Sequence, residues 1–382
     1  LLKDVQMAGY SKGLEGVVAA QTKMSFIDGE KGILEYVGIP IGELASNSTF
    51  EETVFLLWNG RLPKKNELDE FCTSIRSRYA MSAALEARVA ALPKTAEPMH
   101  AMRTLVSSLG LDDPSPNVID IPSIRERALT ILALVPTMLA AFHRHRSGKP
   151  LIKPDASMSL AENFLYMLNG QRPTPTMTKA MDVCLILHAD HGFNNSTFTA
   201  RVLVSTESDI YSAITGAVGS LRGPLHGGAN EGVMKMLNQI PTVADCEQFI
   251  QNKLAKKDKI PGFGHRIYKA YDPRATHLKV LAKQLAQDTG NITLFDKSTA
   301  IEAVMNREKA AKGIYPNVDF YSATTYHCIG LPLDLFTPCF VLARVGGWSA
   351  HVIEQLSDNR LFRPDADYVG PHDVRYTPMA AR

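Results

Sequence analysis

An excess of charge of either sign is missing from this sequence. Lys and Arg number 41 against 39 Asp and Glu, a formal net charge of +2. That balance excludes a generic nucleic-acid or polyanion binder, so any anion site has to come from local clustering of Arg and His. Cysteine is scarce and scattered: Cys72, Cys184, Cys246, Cys328 and Cys339 form no C-x-x-C pair. An odd, dispersed set fits free thiols in a reducing compartment rather than a disulfide framework. Long hydrophobic runs are also lacking. The longest apolar stretch, Ala128 to Phe142, contains Pro136 and is too short to span a bilayer. The opening, Leu1 to Tyr10, carries Lys3 and Asp4 and no continuous apolar segment. A secretory signal is therefore not expected, and the chain reads as cytoplasmic. No internal repeat, low-complexity tract, Walker motif or dinucleotide fingerprint occurs, which removes the sequence case for an NTP or NAD site.

Strand signals are few. Lys31 to Ile41 reads as a short hairpin punctuated by Gly and Pro, and the rest is dominated by helical patterns. Ser48-Thr49-Phe50-Glu51 has the form of a capping box ahead of the apolar run Val54 to Trp58, which Asn59-Gly60 stops. Ser123 and Glu126 repeat that pattern before an apolar helix running to about Phe142, with His143 to Arg146 placing positive charge at its end. Met181 to His188 and Phe336 to Ala343 are apolar almost all round, as fully buried helices are. The expectation is a mainly α protein with one small sheet. Glycine density rises over Gly216 to Gly232 and over Pro261 to Gly264, bounding a more charged region, roughly Gly223 to Tyr321, with helical stretches such as His277 to Asp288. That region reads as a smaller lobe inserted into the large body, hinged at its glycine-bearing edges.

Five segments carry residues suited to chemistry. In His188-Ala-Asp190-His191-Gly-Phe-Asn194-Asn195-Ser196 the polar groups emerge directly from a buried helix. Taken alone the two histidines are either a metal pair without a third ligand in a zinc-site pattern, or hydrogen-bonded core residues at a helix end. In Gly223-Pro-Leu-His226-Gly-Gly-Ala-Asn230, ligand or backbone can approach the histidine closely. Near the start of the helix Gly232 to Leu237 its cationic form is disfavoured, which makes it a neutral donor, unless the segment is only a connector. Pro261-Gly-Phe-Gly-His265-Arg266-Ile-Tyr-Lys269, followed by Asp272-Pro-Arg274, is either a backbone cradle flanked by cations or a surface turn. In Tyr315-Pro-Asn-Val-Asp319, the aspartate is a helix cap or a desolvated base. Arg344 follows an apolar run and needs a partner anion, either a bound carboxylate or a structural salt bridge; Arg360 and Arg363 follow it in Asn359-Arg-Leu-Phe-Arg-Pro.

In this order and spacing the five segments resemble citrate synthase, in its short bacterial and archaeal form. The N-terminal Lys12-Gly-Leu-Glu-Gly-Val17 and Phe50 to Pro63 match as well, so the resemblance covers almost the whole chain. It implies a two-domain helical fold: a large domain, 1–222 and 322–382, carrying dimerisation and the oxaloacetate site, and a small mobile acyl-CoA domain, 223–321. It further implies a homodimer with the site in the cleft, and condensation of acetyl-CoA with oxaloacetate and water to citrate and CoA. Carried over by motif, Asp319 removes a methyl proton, His226 donates to the thioester oxygen, and His265 polarises the ketone and protonates the new alkoxide. His191, Arg274, Arg344 and Arg363 hold carboxylates, with Arg363 reaching across from the partner subunit, and His188 lines the substrate pocket. The CoA phosphates call for cations, and Lys257, Arg266, Lys269 and Lys312 are the candidates, although a solvated surface role suits each equally. No permanently bound cofactor or metal is expected, and no nucleic-acid or membrane partner.

One departure stands out: many relatives carry Glu where this chain has Gly192. Three other readings compete. A 2-methylcitrate synthase using propionyl-CoA, or a dual-specificity enzyme, would share the fold and mechanism. Such relatives tend to carry Tyr in place of His188, so His188 favours acetyl-CoA, yet one methylene is worth only ~1–3 kcal/mol in an apolar pocket. A binding protein that had lost the chemistry is disfavoured by the presence of His226, His265 and Asp319. A metalloenzyme built on His188 and His191 would need stoichiometric metal.

Overall fold

The computed structural model describes residues 10–382; apart from Tyr10, the opening stretch read as lacking a signal lies outside them. Among the described residues there are 16 α-helices and one three-stranded antiparallel sheet, which makes the protein mainly α as the sequence implied. The sheet contains the expected hairpin, Ile33–Tyr36 (β2) paired with Ile39–Pro40 (β3). The preceding strand, Ser25–Asp28 (β1), was not expected; it pairs with β2 in the register Ser25↔Tyr36 to Asp28↔Ile33.

Both expected capping boxes are displaced. The helix Phe50–Asn59 is capped by Thr49, whose hydroxyl accepts from the Glu52 N–H, not by Ser48 with Glu51. Glu51 is buried instead and accepts the N–H of Leu160, serving the start of a different helix. The helix expected to open at Ser123 starts earlier, at Ile121, because Asp120 takes the Ser123 N–H and hydroxyl. It runs to Arg146, straight through Pro136, and Ile131 to Phe142 are buried all round. Packing on every face outweighs the one backbone hydrogen bond that proline forfeits.

This helix forms the centre of the helical core, with Phe336–Ser357 packed along it and Pro175–His188 packed against the latter. Gly347 makes that contact close, and Gly346 does the same against Val54 of Phe50–Asn59. A side chain at Gly347 would overlap the Ala189 carbonyl, so glycine is what lets the helix press on the segment that follows His188. Residues 246–309 form a second group of helices, Cys246–Ala255, Pro273–Asp288 and Ile292–Lys309. Pro273–Asp288 lies along Val318–Cys328 and carries this group to the helical core through Pro175–His188. No helix among the described residues is long and apolar enough to cross a membrane.

Candidate active site

Four of the five sequence motifs contain a helix start, and in three of them a side-chain cap aims the chemistry. Asn194 caps Asn195–Ser205, Asp272 caps Pro273–Asp288, and Asn317 caps Val318–Cys328. Each supplies a side-chain oxygen to a first-turn N–H, so the residues around it are held at a fixed angle to the helix.

The first motif leaves the buried end of Pro175–His188. His188 is fully buried, and its Nδ1 lies 2.6 Å from the Cys184 carbonyl. A carbonyl only accepts, so Nδ1 carries the ring proton and Nε2 presents a lone pair, which no group of the described residues meets. Burial, reinforced by Arg274, pushes the imidazole down to about 3, leaving it neutral. His191 is likewise held neutral by burial and by Arg274; its Nε2 lies 3.1 Å from the Tyr268 hydroxyl. Between them Asp190 accepts from Ser25, from the Gly192 N–H at 2.9 Å and from His351 Nε2 at 3.1 Å. Burial would raise its pKa, but His351, Arg344 and these donors hold it below the ordinary carboxylate range.

His226 is addressed by a helix N-terminus, though not by that of the helix following it. Ser196, in the first turn of Asn195–Ser205, directs its N–H at His226 Nε2 (3.3 Å), and its hydroxyl lies 2.8 Å from the same atom. That N–H can only donate, so Nε2 accepts it when the ring proton sits on Nδ1. Burial, then Arg344 and Arg266, lowers His226 to about 4. Ser196 is fixed in turn by the Trp348 indole N–H at 3.1 Å and by Asn194 Oδ1 at 2.8 Å.

His265 has the opposite tautomer. Its Nδ1 accepts two backbone N–H groups, Ile267 at 3.1 Å and Tyr268 at 3.2 Å, so the proton sits on Nε2. Burial, then Arg274, takes it down to about 4. The rings of His191 and His265 stand edge to face, 5.2 Å apart. The third and fourth motifs are stitched together by backbone: Gly264 N–H to Tyr315 O and Asn317 N–H to Gly262 O, both 2.9 Å, plus the Asn317 amide to Gly264 O at 2.9 Å. Asp319 follows in the first helical turn. Its carboxylate has no hydrogen-bond partner among the described residues, and burial raises it to about 6.

Two arginines are buried nearby. Arg274 is held in a two-pronged contact by Asp272, at 3.0 and 2.8 Å. Arg344 donates through Nε to the His188 carbonyl at 2.8 Å but has no carboxylate within 4 Å among the described residues. Burial pushes its guanidinium down. Two cations and four neutral histidines against carboxylates that are mostly already paired make a centre suited to an added dianion. Arg363 is elsewhere: its side chain is 78% exposed on the extended C-terminal segment, beside Asp365 at 3.3 Å. Lys257, Arg266, Lys269 and Lys312 are all exposed and form no ion pair among the described residues, and the last two lie on abutting segments, since a side chain at Gly313 would meet the Lys269 backbone. A cavity of about 950 Å³ bounded by Arg78, Asp113, Glu126 and Tyr211 touches none of these motifs.

Sequence reasoning quoted Ser196, Tyr268, Asp272 and Trp348 without giving them work, and passed over His351. An Asp-Pro-Arg at a helix start was a readable signal for Asp272, because a capping carboxylate two residues before an Arg can reach it. Nothing local marks Trp348 or His351. Gly192 sits at φ +57° with Ile27 close by, so the glutamate of many relatives would be strained in this backbone.

The chain matches the family described as "Citrate synthase, C-terminal domain" over residues 13–365. It is 47% identical to Citrate synthase 2 of Bacillus subtilis, covering 97% of this chain and 99% of that one. It is 46% identical to the citrate synthase of Deinococcus radiodurans, with 98% and 100% covered. A 2-methylcitrate synthase of Corynebacterium glutamicum is 42% identical, with 97% of each covered. Among solved structures, the citrate synthase of Thermoplasma acidophilum in a ternary complex with carboxymethyl coenzyme A and oxaloacetate superposes with a TM-score of 0.92 at 34% identity, covering 98% of this chain and all of that one.

Proposed function

The chain belongs to the citrate synthase family, a transferase that converts acyl to alkyl on transfer, and we propose that it condenses acetyl-CoA with oxaloacetate and water to give citrate and CoA. The observation that supports this most is the joining of five motifs spread over the chain. Ser196 meets His226, His191 meets His265, Asp272 reaches the start of the Asp319 helix, and Arg344 meets His188.

In this reading oxaloacetate binds first, one carboxylate on Arg344, with Arg274 and His191 alongside. The ternary complex of the Thermoplasma enzyme, which holds oxaloacetate and a CoA analogue, supports that substrate pair. Asp319 takes a proton from the acetyl methyl group; a desolvated carboxylate near 6 is a stronger base than an ordinary one. His226 donates its Nδ1 proton toward the thioester oxygen as charge develops there, and neutrality suits it to share a proton without first losing one. The enolic carbon attacks the ketone of oxaloacetate while His265 Nε2–H gives its proton to the new alkoxide. Water then attacks the thioester of citryl-CoA, and CoA leaves as the thiol. Water has to stay out until the C–C bond forms, which we assign to closure of a lobe at 223–321 over the large domain.

We assign the CoA phosphates to Lys257, Arg266, Lys269 and Lys312, and the second carboxylate contact to Arg363 of a homodimer. The exposed apolar residues Leu361, Tyr368, Val369 and Tyr376 on the same segment support burial against a second copy. A preference for propionyl-CoA is the second reading, supported by the 2-methylcitrate synthases among the relatives. Release of CoA thiol from acetyl-CoA and propionyl-CoA, each with and without oxaloacetate, decides between them. Oxaloacetate-dependent release favouring acetyl-CoA is expected; a propionyl preference would move the assignment to 2-methylcitrate.

A further inference from the structure

The turn between β1 and β2, residues 29–32, is far in sequence from every motif discussed above, yet it backs the loop that carries His265. The Gly29 carbonyl accepts the Lys269 N–H at 2.9 Å. A side chain on Gly29 would overlap the Ile267 carbonyl, and one on Gly32 would come within 2.8 Å of the Tyr271 carbonyl. Gly29 does not have positive φ, so its backbone would accept alanine; what excludes a side chain is the approach of the other loop. The far side of that loop faces the site. Ile267 and Tyr268 give their N–H groups to His265 Nδ1, and the Tyr268 hydroxyl meets His191. The sheet itself is anchored to the first motif, through the Ser25 hydroxyl on the Asp190 carboxylate and through the Tyr36 hydroxyl, which donates to the Asp190 carbonyl and accepts the Asp190 N–H.

We propose that Gly29 is a positioning residue: the hairpin tip is a stop that sets how far the His265 loop travels toward His191, and a bare backbone at Gly29 fixes that distance. The sheet thus spans the two histidine motifs, tied to one at Asp190 and pressed against the other at Ile267 and Lys269. An added methyl at Gly29 displaces the turn holding His265 Nδ1, which moves the Nε2–H away from the ketone it polarises. The inference rests on the role given to His265 above.

The test is Gly29→Ala in the full-length protein, with Glu30→Ala, at the exposed tip, as the control. For Gly29→Ala we expect the oxaloacetate KM to rise and kcat to fall, with kcat/KM for oxaloacetate down ~10–100-fold, the scale of an ångström-sized misplacement. The acetyl-CoA KM at saturating oxaloacetate should stay as in the wild type. Amide exchange over residues 265–272, read by mass spectrometry without substrate, should accelerate while the thermal unfolding midpoint holds. Glu30→Ala should change none of these. Wild-type kinetics and wild-type exchange in Gly29→Ala would overturn the proposal. So would equal losses for both substrates together with a lowered midpoint, which is what a merely structural role gives. If the wild type itself shows no oxaloacetate-dependent CoA release, the functional reading fails separately; exchange over 265–272 then still decides whether the hairpin backs the loop.

Discussion

Asp272 holds Arg274 by both prongs of its guanidinium, and the same carboxylate accepts the Val318 N–H at 3.1 Å, one residue before Asp319. Both side chains are almost fully buried, at 1% and 3% exposure. One carboxylate therefore fixes a candidate substrate arginine and the start of the helix carrying the candidate base. Asp272→Asn keeps the shape and removes the charge, leaving a buried guanidinium unpaired. Breaking a buried pair from one side costs ~3–5 kcal/mol. Denaturant unfolding should show a loss of that size, with a raised oxaloacetate KM, whereas unchanged stability would mean that Arg274 finds another anion.

Arg344 predicts the reverse for stability. Its guanidinium is buried with no carboxylate of the described residues within 4 Å, so the folded chain bears a desolvation cost that the more distant charges of Asp190 and Asp319 do not fully offset. Arg344→Leu should leave the melting temperature unchanged or raise it, with a gain of up to ~1–4 kcal/mol, while raising the oxaloacetate KM and lowering kcat. A destabilised variant with normal kinetics would mark the arginine as structural.

Much of this site was legible in the sequence because its chemistry-bearing residues sit beside local punctuation. His226 and His265 each stand next to glycines, Arg274 follows Asp-Pro, and Asp319 follows Pro-Asn. The mainly helical fold was legible too, since its buried helices are apolar on nearly every face. What escaped was whatever depends on long-range partners. The helix N-terminus that meets His226 Nε2 belongs to Ser196, and Trp348 and His351 act on groups more than 150 residues away. The cap before Phe50 was misplaced by one residue because Glu51 turns inward to Leu160, a choice made by packing and invisible in a capping-box pattern.

Asp319 gives a pH-dependent prediction whose sign follows from its shift. Its carboxyl titrates near 6 in the folded chain against 3.8 for the ordinary group, so between these values the native state binds more protons than the unfolded one. Its contribution is fully favourable below pH 3.8 and is lost as pH rises through 6. Asp319→Asn should therefore raise stability by ~1–3 kcal/mol at pH 8 and leave it near the wild type at pH 4. In the wild type, kcat/KM should rise with pH through about 6 as the base form appears. Equal stability of the two proteins at pH 8 would contradict a desolvated carboxylate.

Arg363 can be placed by subunit mixing. If it serves the partner's site, neither Asp319→Asn nor Arg363→Leu homodimers turn over efficiently, yet their heterodimers hold one intact site. Unfolding and refolding equal amounts together should then restore about a quarter of wild-type activity, half the dimers being mixed and half their sites whole. No recovery would put Arg363 in its own subunit's site or outside it.

The central claim is that Asp319 is the base acting on acetyl-CoA, in a site whose arginines bind oxaloacetate independently of it. The most direct test measures oxaloacetate binding by calorimetry and oxaloacetate-dependent CoA release in the wild type and in Asp319→Asn. The account predicts closely similar binding and a CoA-release rate lower by ~10²–10⁴-fold in the variant. Wild-type turnover in Asp319→Asn, or loss of oxaloacetate binding in step with activity, would contradict it.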